Sequence, residues 1–246
     1  MRHVSVIATV TILLLAVPAF ASWDGSVDAS VQSAYLWRGM VLNDEPVFQP
    51  SLTLSHGGFS ASFWANVDLT GVAGHRLEPT EVDSWIAYTW EAGHFTFTVT
   101  AYDYSFPHGA APSTQEIWAG VTWKTFFSPS LTVVRDVNEA EGTYLLLSGT
   151  QSLGLLRGPA SEGLVLSVNF GHATREYTRF YFPELRADHV NDYGVRLDWP
   201  VTLGPGTLKM GVQYSAFTDG RVRSPGFEGN STHLVGGVTY SVPFEL

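Results

Sequence analysis

The sequence predicts an all-β chain that closes into a single antiparallel transmembrane β-barrel of about twelve strands. Three observations carry this prediction. Apolar and polar residues alternate at period two, from Val27, Ala29 and Val31 to Val238, Tyr240, Val242 and Phe244. The alternating segments run about ten residues each and are separated by turns, as membrane-spanning strands are. An export signal opens the chain, and no later apolar run approaches the roughly 20 residues a spanning helix needs.

The signal consists of Arg2 and His3, an apolar run from Val4 to Val17, and Pro18-Ala19-Phe20-Ala21. A basic start, a short apolar core and an Ala-x-Ala end predict a secretory signal peptide over 1–21, cleaved after Ala21. Residues 22–246 then form one outer-membrane barrel domain, with no linker or repeat to divide it.

The first strand is expected over 25–38, with Tyr35 and Trp37 continuing the apolar parity of Val27 and Val31. Strands over 46–56 and 58–68 follow, joined at Gly57-Gly58. The second of them sets Phe59, Ala61, Phe63, Ala65 and Val67 against Ser60, Ser62, Trp64, Asn66 and Asp68. Strands over 80–91 and 93–104 meet near Gly93, and the latter alternates Phe95, Phe97 and Val99 with Thr96, Thr98 and Thr100. Those over 114–126 and 129–137 meet at Ser128-Pro129, where Pro and Ser supply turn geometry. The strand over 141–152 is less sharply drawn, because Leu145-Leu146-Leu147 breaks the alternation. Strands over 162–174, 189–200, 206–218 and 232–245 complete the set. An even number returns both chain ends to the periplasm, and ten or fourteen strands fit the pattern as well.

Connections at 56–58, 91–94 and 127–129 are tight, whereas those at 39–46, 69–79, 105–113, 175–188 and 219–231 are longer and polar. Bacterial barrels place short turns in the periplasm and long loops outside. The long connection at 153–161 and the short one at 137–141 are the exceptions.

Composition narrows the function classes. There is no cysteine, hence no disulfide, thiolate metal site or thiol nucleophile. Lys and Arg number 13 against 23 Asp and Glu, a net charge of −10, without the basic clusters that nucleic acid demands. The 8 Trp, 10 Tyr and 15 Phe suit the aromatic girdles of a barrel at its two interfaces.

Strand parity assigns faces. With Tyr35 and Trp37 toward lipid, Asp28, Gln32 and Arg38 point inward. Glu81, Asp83 and Trp85 likewise oppose Val82, Ile86, Tyr88 and Trp90. Glu116, Trp118, Thr122 and Lys124 oppose Ile117, Ala119, Val121 and Trp123. Asp192, Arg196 and Asp198 oppose Tyr193, Val195, Leu197 and Trp199. Charged rings set ion selectivity in pores, so Arg38, Glu81, Asp83, Glu116, Lys124, Asp192 and Arg196 are the candidates for a lumen constriction. The same residues could pair with one another and fill a narrow interior, because small barrels are packed with side chains.

An enzyme is not expected. His56, His94, His108, His172, His189 and His233 are scattered, and no G-x-S-x-G, H-E-x-x-H or phosphate-cradling loop occurs. Gly71-Val72-Ala73-Gly74-His75 reads as a flexible outer loop. His172, Asp188, His189 and Asp192 lack the regular spacing of a metal site, so no metal or cofactor is expected.

Ser33-Ala34-Tyr35-Leu36-Trp37-Arg38-Gly39 resembles the aromatic-x-x-Arg-Gly signature of the TorF family of porin-type proteins. Glu81-Val82-Asp83 with Tyr88, Tyr102-Asp103-Tyr104-Ser105-Phe106-Pro107, and Gln115-Glu116-Ile117-Trp118-Ala119-Gly120-Val121 resemble later segments of that family, in the same order. The resemblance covers about residues 25–150 and implies an outer-membrane, porin-like barrel. It puts forward Arg38, Glu81, Asp83 and Glu116. The chain ends in Phe244-Glu245-Leu246 where a terminal aromatic is usual in barrel-assembly signals.

These readings converge on a bacterial outer-membrane channel for passive diffusion of small hydrophilic solutes or ions, with mild cation preference. Its partners would be outer-membrane lipid, those solutes and the barrel-assembly machinery, and it would act as a monomer or homo-oligomer without nucleic acid. The alternatives are a plugged barrel serving as a structural or adhesive surface protein, and an outer-membrane lipid or glycan hydrolase.

Overall fold

Strand β1 (Asp24–Gln32) pairs on one side with β14 (Thr232–Glu245) and on the other with β4 (Val47–His56), and this double pairing closes the sheet. The computed structural model describes residues 22–109, 111–182, 188–219 and 231–246. The export signal over 1–21 lies outside the described residues, as do 183–187 and 220–230 of the expected long loops.

Between β4 and β14 the wall runs in chain order through β5 (Phe59–Asp68), β6 (Pro79–Ala92), β7 (Phe95–Ser105), β8 (Thr114–Trp123), β9 (Ser130–Asp136), β10 (Thr143–Ser152), β11 (Val165–Ala173), β12 (Val190–Leu203) and β13 (Gly206–Phe217). The barrel has twelve antiparallel strands, each paired with its two neighbours. Closure satisfies the backbone groups that an open edge would leave bare in lipid. It extends past the paired strands: Trp23 and Leu246 exchange both backbone hydrogen bonds, at 3.2 and 2.9 Å.

Each expected wall strand is present, with one correction at the start. The first strand ends at Gln32, not at 38. Ser33 makes a last rung with Gly236 of β14, its N–H donating at 2.8 Å, and the chain then leaves the wall. Tyr35–Trp37 (β2) and Met40–Asn43 (β3) form a separate two-stranded hairpin. The expectation that Tyr35 and Trp37 face lipid is therefore wrong. Tyr35 is buried, and Trp37 packs against the enclosed cluster around Met40, Tyr144 and Tyr177.

Elsewhere the alternation holds on both faces. Val27, Leu52, Phe63, Val99, Ile117, Val133, Leu147, Phe170, Val195, Val212 and Val238 stand exposed on the outer wall. So continuous an apolar surface does not belong in water, and it is the belt a bilayer covers. At the end carrying Asp24 and Glu245, the exposed rings of Phe59, Tyr88, Trp90, Phe95 and Trp123 form a run linked through half-buried Phe97, with Phe59 and Tyr88 centred 4.6 Å apart. That is where interfacial aromatics settle.

At this end, Gly57 and Gly58 make the β4–β5 turn with φ of +55° and +88°, the signs a two-residue hairpin turn needs. The longer connection after β10 folds back on the wall, Ser161 Oγ donating to the Pro200 carbonyl at 2.6 Å. At the opposite end lie the longer connections, the β2–β3 hairpin and one short helix, α1 (Arg175–Tyr181).

Candidate functional site

Arg38 occupies the tip of the β2–β3 hairpin. Trp37 pairs with Met40, and the two residues between them, Arg38 and Gly39, have φ of +46° and +81°. Positive φ at both positions defines the tight turn whose twist matches its strands. Gly39 also has no room for a side chain, since a Cβ there would lie 2.7 Å from Cβ of Asp192 and 2.8 Å from the Phe217 ring.

The hairpin tip carries Arg38 to the inner face of β8. There its two terminal nitrogens donate to the two carboxylate oxygens of Glu116, each at 2.9 Å. Glu116 is fully buried. A buried carboxylate is tolerable only when paired and hydrogen-bonded, and Glu116 meets that condition. Tyr104 and the Trp118 indole donate to it at 2.8 Å, and Tyr177 at 2.7 Å. The guanidinium in turn lies over the rings of Trp37, Tyr144 and Tyr177, 4.5, 4.6 and 5.2 Å from their centres. Aromatic faces within about 6 Å attract a cation.

Helix α1 supplies part of this cage. It sits directly on Gly142, where a Cβ would collide with the backbone of Tyr177. From that seat Tyr177 reaches Glu116, and Tyr181 donates to buried Asp136 at 2.8 Å. Outside the wall, Arg175 donates to Asp188 at 2.7 Å and holds that carboxyl below its ordinary range.

Two cavities flank the hairpin. One, of about 360 Å³, is lined by Gln32, Gln49, Trp64, Asp83, Trp85, Tyr102, Trp118, Arg196 and Gln213. The other, of about 440 Å³, lies toward the long loops and is lined by Met40, Asn43, Asn66, Thr80, Glu81, Phe106 and Tyr181. Tyr35, Trp37 and Tyr104 border both, so these rings are the septum between them. In the first cavity Trp85, Tyr102 and Trp118 form a stacked ladder at 5.0 Å centre spacing. Asp83 takes one hydrogen bond from Tyr102 at 3.0 Å, and its other, buried oxygen has no partner. Gly171, Gly194, Gly211 and Gly237 occupy inward positions on β11 to β14, so two walls of the interior differ sharply in bulk.

Of the sequence candidates, Arg38, Glu81, Asp83, Glu116, Asp192 and Arg196 all lie inside the barrel. Asp192 accepts from Tyr144 at 2.8 Å, and Arg196 donates to Asp198 at 2.8 Å and to Gln213 at 3.3 Å. Lys124 is not with them. It follows the end of β8 at the termini end and contacts Glu91 at 2.5 Å, both side chains being largely exposed. Arg38 is inward, but as a turn tip and not as a strand residue. Tyr177 and Tyr181 belong to the helix and lie beyond the reach of strand parity, whereas Asp136, opposite Glu116, and Tyr144, opposite Val134, sit at inward strand positions that parity could have named. Arg38-Gly39 as a two-residue turn is the one signal that could have revealed the hairpin.

His56 contacts the Ser22 carbonyl, and His172 contacts Asn191 at 2.6 Å. His172, Asp188, His189 and Asp192 are dispersed among separate partners, with the two imidazoles centred 5.9 Å apart.

The family described as "Bacterial protein of unknown function (Gcw_chp)" matches residues 19–143. The chain belongs to Gcw_chp. The matched span takes in the hairpin, Glu81, Asp83 and Glu116, so most of the cage of this Gcw_chp barrel lies within it. No curated protein matches in sequence. Among solved structures, the NanC porin superposes with a TM-score of 0.52 at 10% identity, covering 89% of this chain and 98% of that one. A chain solved in a study of the in-meso crystallization of membrane proteins also gives 0.52, at 12% identity, covering 90% and 84%. These likenesses establish a porin-type barrel fold.

Proposed function

We propose that this barrel resides in the bacterial outer membrane and passes small hydrophilic solutes or ions by passive diffusion. The observation that carries the reading is the pair of cavities, about 360 and 440 Å³, that flank the hairpin inside the barrel, with the rings of Tyr35, Trp37 and Tyr104 bordering both. The fold shared with the NanC porin and the motif resemblance to TorF-family porins support it. Glu81 and Asp83 against Arg196 leave a negative balance on the cavity linings, which favours cations. The termini end would face the periplasm and the long loops the exterior.

Single-channel recording of the purified protein in planar bilayers tests this. Discrete steps are expected, with a reversal potential in a salt gradient shifted toward the cation value. The shift should shrink in the E81Q/D83N double variant. A folded barrel that conducts nothing would overturn the channel reading.

The Arg38–Glu116 cage favours a second reading, in which the plug is permanent and the barrel serves as a structural or adhesive surface protein. Silent bilayers, together with cell-surface retention of the loops, are the outcome that reading expects.

A further inference from the structure

Two loops at the long-loop end bring together side chains that neither the lumen nor the fold employs. His75 and Glu78 lie in the connection between β5 and β6, and His108 lies in that between β7 and β8. His108 Nε2 is 3.2 Å from Glu78 Oε2, and His75 Nδ1 is 3.7 Å from the same oxygen. The two imidazole rings stack with centres 3.5 Å apart and planes within 7°. One ligand atom from each residue thus falls within 4.8 Å of the other two. A tetrahedral zinc ion with bonds of about 2.0–2.1 Å sets its ligand atoms about 3.3 Å apart, close to the two measured spacings, and the stacked imidazoles would turn out of parallel for both in-plane lone pairs to reach it.

The backbone holds these groups in place. The Asp68 carboxylate accepts from the N–H groups of Thr70, Gly71 and Ala73 at 2.8–3.0 Å. The N–H of Glu78 bonds to the His75 carbonyl at 3.1 Å, which sets those two side chains on one side of a turn. The N–H of Gly109 bonds to the Phe106 carbonyl at 2.9 Å, placing His108 within a second turn. Val82 of β6 pairs with Ser105 of β7, so both turns rise from adjacent strands.

We infer that His75, Glu78 and His108 form a binding site for a borderline divalent transition-metal ion. Two imidazoles and one carboxylate suit zinc, nickel or copper, whereas calcium and magnesium take oxygen ligands. Three protein ligands leave a position for water. The ion would tie together two loops that also border the outer cavity, through Ala73 on one and Phe106, Ala111 and Pro112 on the other. This inference does not depend on whether the barrel conducts.

Titration of the untagged, full-length folded protein in detergent with zinc, followed by calorimetry, tests it. Saturable binding of one ion per chain is expected. Loss of even an outer-shell partner weakens metal sites about 10–100-fold, so H75A and H108A should each weaken zinc binding at least tenfold, with H189A unchanged. Both ligand imidazoles sit on exposed turns, so circular dichroism should show the variants folded. Zinc should also slow proteolysis of both loops in the native protein but not in H108A. Absence of saturable binding, binding that survives H75A/H108A, or binding lost instead in H189A would each overturn the assignment.

Discussion

Arg38 and Glu116, 78 residues apart in the chain, meet in a two-pronged ion pair of 2.9 Å contacts inside the barrel. One partner belongs to the inserted hairpin and the other to the wall, so this pair fixes the hairpin to the barrel.

Removing one partner strands the other charge. Breaking a buried pair costs about 3–5 kcal/mol, so E116A should lower the stability of the barrel against urea by that order. The R38M/E116L double variant should recover most of the loss, because it removes both charges. A double variant no more stable than E116A would contradict the desolvation argument.

The hairpin is dispensable to the wall. Gln32 and Val47 are already direct partners across β1 and β4, so Asn-Gly could replace residues 33–46 as a tight turn. That variant, carrying E116L as well so that no charge is stranded, should still fold to the heat-resistant form seen by gel mobility, and it should conduct several times more current per channel. Unchanged conductance would show that Tyr35 and Trp37 are not the septum.

Gly142 is the seat of α1. G142A places a Cβ against the Tyr177 backbone and should cost about 1–3 kcal/mol, as overpacking does. Amide exchange in 175–181 should rise while the strands stay protected.

Lys124 provides a contrast. Its pair with Glu91 is exposed, and such pairs contribute about 0–1 kcal/mol. K124A should leave stability and ion selectivity nearly unchanged, in contrast to E81Q/D83N.

The wall was legible because strand parity is local. Glu81, Asp83, Glu116, Asp192 and Arg196 each needed only the apolar residues beside them to be assigned inward. Tyr35 and Trp37 were misread because the alternation carries through Ser33-Ala34, which holds neither glycine nor proline to announce that the chain leaves the sheet. Lys124 lies one residue beyond β8, which stops at Trp123, so its inward parity leaves it exposed at the rim beside Glu91 and not within the cage. The cage around Glu116 and the convergence of His75 with His108 depend on contacts between distant segments, and no short-range pattern encodes those.

The seam between β1 and β14 has a consequence for assembly. Strands β4 to β14 can each pair with a neighbour as they emerge, but β1 must wait for the last strand of the chain before its second edge is covered. Joining ends so far apart is the slowest kind of contact to form. The hairpin leaves β1 directly, on the strand that closes last, so it can swing into an interior still open along one side. On that order of closure the hairpin is walled in rather than pushed through a finished barrel. A barrel sealed before Arg38 has found Glu116 would leave the hairpin no lateral way inside.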